Sequence, residues 1–189
     1  MGLLEGFAEL KHRISVHDYH RMGETGVLAP EARVELIEGE IIDKAPIGTH
    51  HASIVNRLNR MFVVAAAERA IVRVQGPVLM GEHSEPEPDL TLLRPRADYY
   101  RDAAPGAADV LLIVEVSDST QRYDRRVKVP LYARHGVPEV WVIDLENRLV
   151  HFHRDPSGDT YADISASEQP GVTPVSALPG VAIDLSGLL

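Results

Sequence analysis

The sequence contains no cysteine among its 189 residues. This absence excludes disulfide bonds, thiolate zinc sites and cysteine nucleophiles. Long hydrophobic runs are missing as well, because the longest, residues 61–67, is far shorter than the roughly 20 residues that a bilayer span requires. Glu5 interrupts the first residues, and no Ser or Thr stands where myristoylation would need one. We therefore expect a cytoplasmic protein without a leader, a lipid anchor or a membrane partner.

Positive charge is also scarce. The formal net charge is -9, and only three of the 19 basic residues are lysines, namely Lys11, Lys44 and Lys128. Proteins that coat or package nucleic acid are usually basic, since cations supply their affinity for phosphate, so this class is disfavoured. A nucleic-acid enzyme is not excluded, because divalent ions bound by carboxylates invert the local charge.

Several well-known motifs are absent. The sequence has neither GxGxxG nor GxxxxGK[ST], which disfavours dinucleotide-binding and P-loop proteins, and it has no GxSxG nucleophile elbow. We also find no internal repeat, no low-complexity tract and no linker. The length suits one domain, which we expect to span residues 1–189 with a core over about 30–165.

Hydrophobic periodicity predicts an α/β fold in the broad, α+β-like sense, with one mixed sheet. A helix capped by Ser15 and a hairpin around Gly39 come first, and an amphipathic helix capped by Thr49 follows. We predict strands at 70–75 (continued by 78–80), 89–93, 110–116 and 140–144, a helix at 120–135 bent by Pro130, a hairpin at 148–164, and an edge strand near 181–185.

Two carboxylates stand where burial should disfavour them. Glu115 follows five apolar residues, 110–114, so its charge needs a basic partner, a proton or a metal ion. Asp89 begins the preceding predicted strand and could meet Glu115 if the two strands are neighbours. Oxygen ligands of this kind favour Mg²⁺ or Mn²⁺. A structural ion pair or a solvated strand end is the alternative interpretation of Glu115.

Lys128 lies on the helix that follows the Glu115 strand. Its spacing from Asp124 fits a surface ion pair, but the same helix could also place the ammonium over the end of the strand. Arg122, Arg125 and Arg126 make this the one locally basic stretch, which is either a phosphate-facing surface or a solvated helix face.

Three further positions are ambiguous. Glu35 alternates with apolar neighbours in the first hairpin and could face water. His51 shares the apolar stripe of the amphipathic helix, so it is either a core histidine or part of the site. His151 and His153 flank Phe152 on one strand, which predicts two exposed histidines around a buried ring, with transition-metal binding as the alternative.

Several segments together resemble a known family, the Uma-two family of restriction endonucleases within the PD-(D/E)xK nuclease superfamily. The matching segments, in chain order, are ELIEGE at 35–40, APIGTHH at 45–51, PD at 88–89, VEVS at 114–117, the Asp124-x3-Lys128-x3-Tyr132 spacing, and GVPEVWVID at 136–144. The resemblance implies a restriction-endonuclease-like αβββαβ core, together with an N-terminal helix and hairpin and a C-terminal β-hairpin.

The resemblance also implies the site. Asp89 and Glu115 match the acidic motif residues, and Ser117 stands where the superfamily has its lysine, which Lys128 replaces from the following helix. Glu35 matches an N-terminal acidic residue, and His51, Ser117, Asp124 and Tyr132 are implied supporting residues. Mg²⁺ or Mn²⁺ would be held by Asp89, Glu115 and the backbone carbonyl of Val116.

The implied function is metal-dependent endonucleolytic hydrolysis of phosphodiester bonds in nucleic acid, with DNA favoured. A homodimer is expected, since two strands are most simply cut by two symmetric sites. One alternative is a catalytically degenerate nuclease fold that acts as a binding or regulatory module, which the serine at 117 and the acidic charge favour. Another is a small-molecule zinc enzyme built on His151 and His153.

Overall fold

The computed structural model describes residues 11–118 and 123–189. The helices in these ranges are α1 (Val16–Glu24), α2 (Thr49–Ala66) and α3 (Val129–Arg134). The strands are β1 (Val34–Ile37), β2 (Glu40–Asp43), β3 (Ile71–Val74), β4 (Leu90–Leu93), β5 (Val110–Ser117), β6 (Glu139–Asp144), β7 (Leu149–Ser157), β8 (Thr160–Ser167), β9 (Val172–Pro174) and β10 (Ala182–Asp184).

Six strands form the main sheet in the order β3-β4-β5-β6-β7-β8. Strands β5 and β6 pair in parallel and the other neighbours pair antiparallel, so the sheet is mixed. The sequence α2-β3-β4-β5-α3-β6 confirms the predicted αβββαβ core. All eight residues of β5 are buried, as expected for a central strand with both faces covered.

Helix α2 covers one face of the sheet because its apolar residues repeat along one side. Its buried residues are Ile54, Val55, Leu58, Phe62 and Ala66. The Phe62 ring lies 5.6 Å from Trp141 of β6, which in turn lies 5.5 Å from Phe152 of β7. Residues from β10 and its flanking turns join the same core. The N-cap is Gly48, one residue before the predicted Thr49.

The other face of the sheet is covered by α3 and the segment before it. Residues Asp124–Lys128 form a π-helical turn that runs into α3, and Pro130 lies in the first turn of α3. Proline has no backbone N–H to donate within a helix. The predicted single bent helix is therefore divided into the π-helical turn and α3, which begins beside Pro130. The predicted start of this helix, Thr120, lies outside the described residues.

The first hairpin folds as its sequence predicts. Glu38 and Gly39 both have positive φ, of 51° and 82°, as a two-residue type I′ turn requires. Gly39 is also needed for space, since a Cβ there would lie 2.6 Å from the Cβ of Arg13. The turn thus packs against the chain that leads into α1, and it positions β1 beside the main sheet.

Two smaller predictions were wrong. Val78 and Leu79 do not extend β3: Val78 donates to the Pro86 carbonyl, and Leu79 bridges Gly106. The C-terminal strand pairs with β9 in a separate two-stranded sheet rather than at the edge of the main one. Among the described residues, no helix combines the length and the apolar character needed to cross a membrane.

Candidate active site

Asp89 and Glu115 meet because of strand register. Leu90 pairs with Val114 in the antiparallel β4–β5 ladder, so the residue before β4 comes level with the residue after Val114. The Asp89 backbone N–H lies 3.4 Å from Glu115 Oε2, and the Val116 N–H donates to Asp89 Oδ2 at 2.9 Å. The two acids predicted from the sequence therefore lie side by side at this end of β5.

Lys128 reaches the same place from the π-helical turn. Its Nζ lies 3.2 Å from Glu115 Oε1 and 3.1 Å from Glu35 Oε2, and all three side chains are buried. The Tyr132 hydroxyl donates to Glu115 Oε1 at 2.6 Å. The surface-pair interpretation of Lys128 is wrong, and so is the expectation that Glu35 could face water.

The other residues implied by the resemblance also lie around these acids. His51, in the first turn of α2, makes a 3.0 Å hydrogen bond through Nε2 to Asp89 Oδ2. The Ser117 hydroxyl donates to Asp124 Oδ2 at 2.6 Å, which ties the end of β5 to the start of the π-helical turn. These contacts fix the orientation of Asp89 and the position of the segment that carries Lys128.

Burial and neighbouring charges shift several pKa values in this cluster. Burial raises the pKa of Glu115, and the carboxylates of Asp124 and Asp89 add to the effect, while the Lys128 ammonium and the Tyr132 hydroxyl favour its charged form. Burial disfavours the charged Lys128, but the carboxylates of Glu115, Glu35 and Asp124 outweigh it and raise the pKa of the ammonium. Lys128 is therefore a cation at neutral pH.

The pKa of Asp89 moves in the opposite direction from that of Glu115. Burial alone would raise it, but the hydrogen bond and charge of His51 and the Val116 N–H outweigh burial and hold it below its usual range. The hydrogen bond to Asp89 in turn raises the pKa of His51. Asp89 is therefore ionised at neutral pH and available as an oxygen ligand.

Asp89 and Glu115 each have one carboxylate oxygen with only a long hydrogen-bond contact. Asp89 Oδ1 has a 3.4 Å contact with the Gln75 amide, and Glu115 Oε2 has the 3.4 Å contact with the Asp89 N–H. Within 11–118 and 123–189, no group of three or more His, Asp or Glu side chains is arranged to hold a metal. Mg²⁺ commonly takes one or two carboxylates and keeps several waters, so two such oxygens suit it better than they suit zinc.

A cleft opens beside these oxygens, and part of its wall was not anticipated from the sequence. Residues of the cleft that sequence reasoning missed are Arg33, Asp43, Lys44, Gln75, Glu87, Asp118 and Tyr123. Lys44 bonds Glu87 Oε2 at 2.8 Å and is one of only three lysines, a rarity that could have drawn attention to it. The remaining wall residues carry no motif, because loop geometry alone brings them to the cleft.

Some candidate residues lie elsewhere. Arg125 and Arg126 are exposed on the π-helical turn and are not among the residues that line the cleft, while Arg122 falls outside the described residues. His151 and His153 are 8% and 7% exposed, so the prediction of two solvent-facing histidines is wrong. Residues 150–153 of β7 are buried on both faces, since α3 packs against this strand.

One protein family matches this chain over most of its length. The Uma2 family profile, described as "Putative restriction endonuclease", matches residues 16–186, nearly the whole chain. The chain belongs to the Uma2 family. The match confirms the family resemblance that six short segments of the sequence indicated. A comparison with curated proteins finds no match.

A solved structure supports the fold of this Uma2 protein. It is the crystal structure of a protein from Anabaena variabilis ATCC 29413 described as "a putative nuclease belonging to DUF820". The two superpose with a TM-score of 0.70 over 93% of this chain and 97% of the other, at 18% sequence identity. At this identity the likeness establishes a shared fold.

Proposed function

We propose that this Uma2 protein hydrolyses phosphodiester bonds in nucleic acid with the help of Mg²⁺ or Mn²⁺, and that DNA is its substrate. The observation that carries the proposal is the convergence of Asp89, Glu115 and Lys128 at one cleft, with an open oxygen on each acid. Family membership supports the reaction class. The acidity of the cleft is consistent with a cation being needed before a phosphate can approach.

The proposed ligands are Asp89, Glu115 and the Val116 backbone carbonyl. A bound divalent ion would supply charge stabilisation for the pentavalent transition state and a water of lowered pKa. Water attack at phosphorus would break one P–O bond and leave a phosphate on one fragment and a hydroxyl on the other. His51 holds Asp89 in place, and the Lys128 ammonium, fixed by Glu35 and Glu115, is a cation in direct contact with one proposed ligand.

A plasmid-nicking assay tests the proposal. Supercoiled DNA incubated with wild-type protein and Mg²⁺ or Mn²⁺ should become nicked, and chelation should stop the reaction. Lys128→Ala should lose this activity, whereas Lys11→Ala, which alters an exposed lysine paired with Glu40, should retain it. Equal nicking by all three proteins would contradict the proposal. Tight DNA binding without cleavage under any metal would favour the binding-module alternative.

We also propose a two-fold symmetric dimer, because cutting both strands of a duplex is most simply done by two active sites in opposite orientations. Light scattering during size-exclusion chromatography should give twice the mass of the 20.8 kDa chain. A monomer that still linearises plasmid in one binding event would contradict the dimer without contradicting hydrolysis.

A further inference from the structure

The position of Lys128 bears on how many metal ions the cleft can take. Its Nζ lies 3.1 Å from Glu35 Oε2 and 3.2 Å from Glu115 Oε1, and the Asp124 carboxylate also acts on it electrostatically. The lysine is 4% exposed, and the two glutamates are 2% exposed. A single ammonium therefore serves carboxylates from β1, β5 and the π-helical turn, away from bulk water.

Glu115 Oε2, the oxygen without a close partner, lies on the Asp89 side of the carboxylate and not on the Lys128 side. Lys128 and Tyr132 both contact Glu115 Oε1, whereas Oε2 lies toward Asp89. Glu115 thus has one oxygen committed to an internal cation and one directed to the proposed metal ligands. The Glu35 Oε2 that could serve a second ion is already bonded to Lys128 and to the Glu87 N–H at 3.1 Å.

We propose that the Lys128 ammonium occupies the second-cation position of this site, so that the cleft takes one divalent ion and not two. The inference rests on the proposed function, because it takes Asp89 and Glu115 to be the ligands of the one ion. In two-metal hydrolases a second ion shares the carboxylates of the first and stabilises the opposite side of the reacting phosphate. Here a covalently attached cation neutralises the shared carboxylate instead.

Removing the ammonium should therefore create a site. In Lys128→Ala, Glu35 and Glu115 would face a space left by three methylenes and an ammonium. Without the ammonium, the Glu35 and Glu115 carboxylates that it bridges would repel one another, and a divalent ion would relieve that repulsion. In Lys128→Met a side chain of similar length fills the space, so no second ion should enter.

Mn²⁺ binding measured by electron paramagnetic resonance and by calorimetry tests the proposal without relying on activity. Wild type should bind one Mn²⁺, Lys128→Ala two, and Lys128→Met no more than one. Circular dichroism should accompany each titration. If Lys128→Ala folds poorly, the Lys128→Ala, Glu35→Gln double variant carries less negative charge, and it should fold and bind one ion.

The outcomes separate the two proposals. Two Mn²⁺ ions bound by wild type, or one bound by a folded Lys128→Ala, would overturn the second-cation role and leave the metal-dependent function standing. No Mn²⁺ bound by wild type would instead remove the metal from the proposed function. The wild-type stoichiometry alone can overturn the inference, so the test does not depend on a variant that folds.

Discussion

Glu115 and Glu139 are glutamates buried in the neighbouring parallel strands β5 and β6, on opposite faces of the sheet. Both oxygens of the Glu139 carboxylate have close donors: Oε1 accepts hydrogen bonds from Trp141 Nε1 and Arg154 Nε, both at 2.7 Å, and Oε2 accepts from the Ser176 N–H at 2.8 Å. Glu115 has strong partners on Oε1, while Oε2 keeps a single long contact.

The difference shows what distinguishes a structural buried charge from a candidate ligand. Both glutamates are at most 2% exposed and both contact a cation, so burial and ion pairing do not separate them. The separating feature is an oxygen without a close donor that faces a cleft, since both oxygens of Glu139 have close donors and neither lines the cleft. Glu139 joins three distant segments, and Glu115 joins the segments of the site while keeping one oxygen available.

The largest expected effect is on activity at Glu115. Glu115→Gln keeps an oxygen for Tyr132 and Lys128 but replaces the open carboxylate oxygen with an amide, which cannot bind a cation. Nicking should fall by on the order of 10³-fold, as when a transition-state electrostatic contact is lost. The rate per folded molecule should be compared with that of Glu139→Gln, which should stay near wild type. Comparable losses in the two variants would remove the distinction.

The effects of the two variants on stability should have the reverse order, with Glu139→Gln losing more than Glu115→Gln. A glutamine at 139 must turn its NH₂ toward either the Ser176 N–H or the Trp141 and Arg154 donors, so that two donors face each other. We expect about 2–4 kcal/mol of lost unfolding free energy in urea, because a buried pair loses one partner. Glu115→Gln should cost less, because Lys128 keeps Glu35 as a charged partner and burial already disfavours a charge at position 115. A larger loss at 115 than at 139 would contradict this account.

The support for the open side can be probed at His51. His51 contacts Asp89 through Nε2, and loss of a partner that orients a metal ligand typically costs about 10–100-fold in metal affinity or activity. His51→Ala should therefore weaken Mn²⁺ binding and nicking together, with little change in the urea midpoint. Neighbouring His50→Ala, an exposed change on the same helical turn, is the matched control. Equal effects of the two variants would place His51 outside the site.

Much of this arrangement follows from the sequence, and the rest does not for identifiable reasons. Five apolar residues before Glu115 predict a buried strand, and the rarity of lysine singles out Lys128. The bonding of Glu139 could not be predicted, because one of its partners, Ser176, is 37 residues away in a loop. The period-two pattern around Phe152 suggested one exposed face, but it cannot show whether a helix packs over that face.

The effect on activity should be smallest at His151 and His153, because neither lines the cleft. Both are buried, but they have neither the open oxygen of Glu115 nor the close partners of Glu139. Among the described residues, three of their buried ring nitrogens have no hydrogen-bond partner. Burial, with His151 and Arg125 nearby, lowers the pKa of His153 to about 4, and burial with Arg125 also lowers that of His151, despite Asp144.

Between pH 6.5 and about 4, the two histidines therefore bind protons in the unfolded chain but stay largely neutral in the folded chain. Above pH 6.5 the two neutral histidines do not reduce the free energy of unfolding. Below it, this free energy falls as the pH drops, by up to about 1.4 kcal/mol per pH unit for each histidine. Urea titrations at pH 7, 6 and 5 should be compared between wild type and His153→Gln, because the raised pKa values of Glu115 and His51 oppose the loss equally in both proteins. His153→Gln should flatten the slope whatever its effect on absolute stability, and an unchanged slope would mean that the folded protein protonates His153 freely.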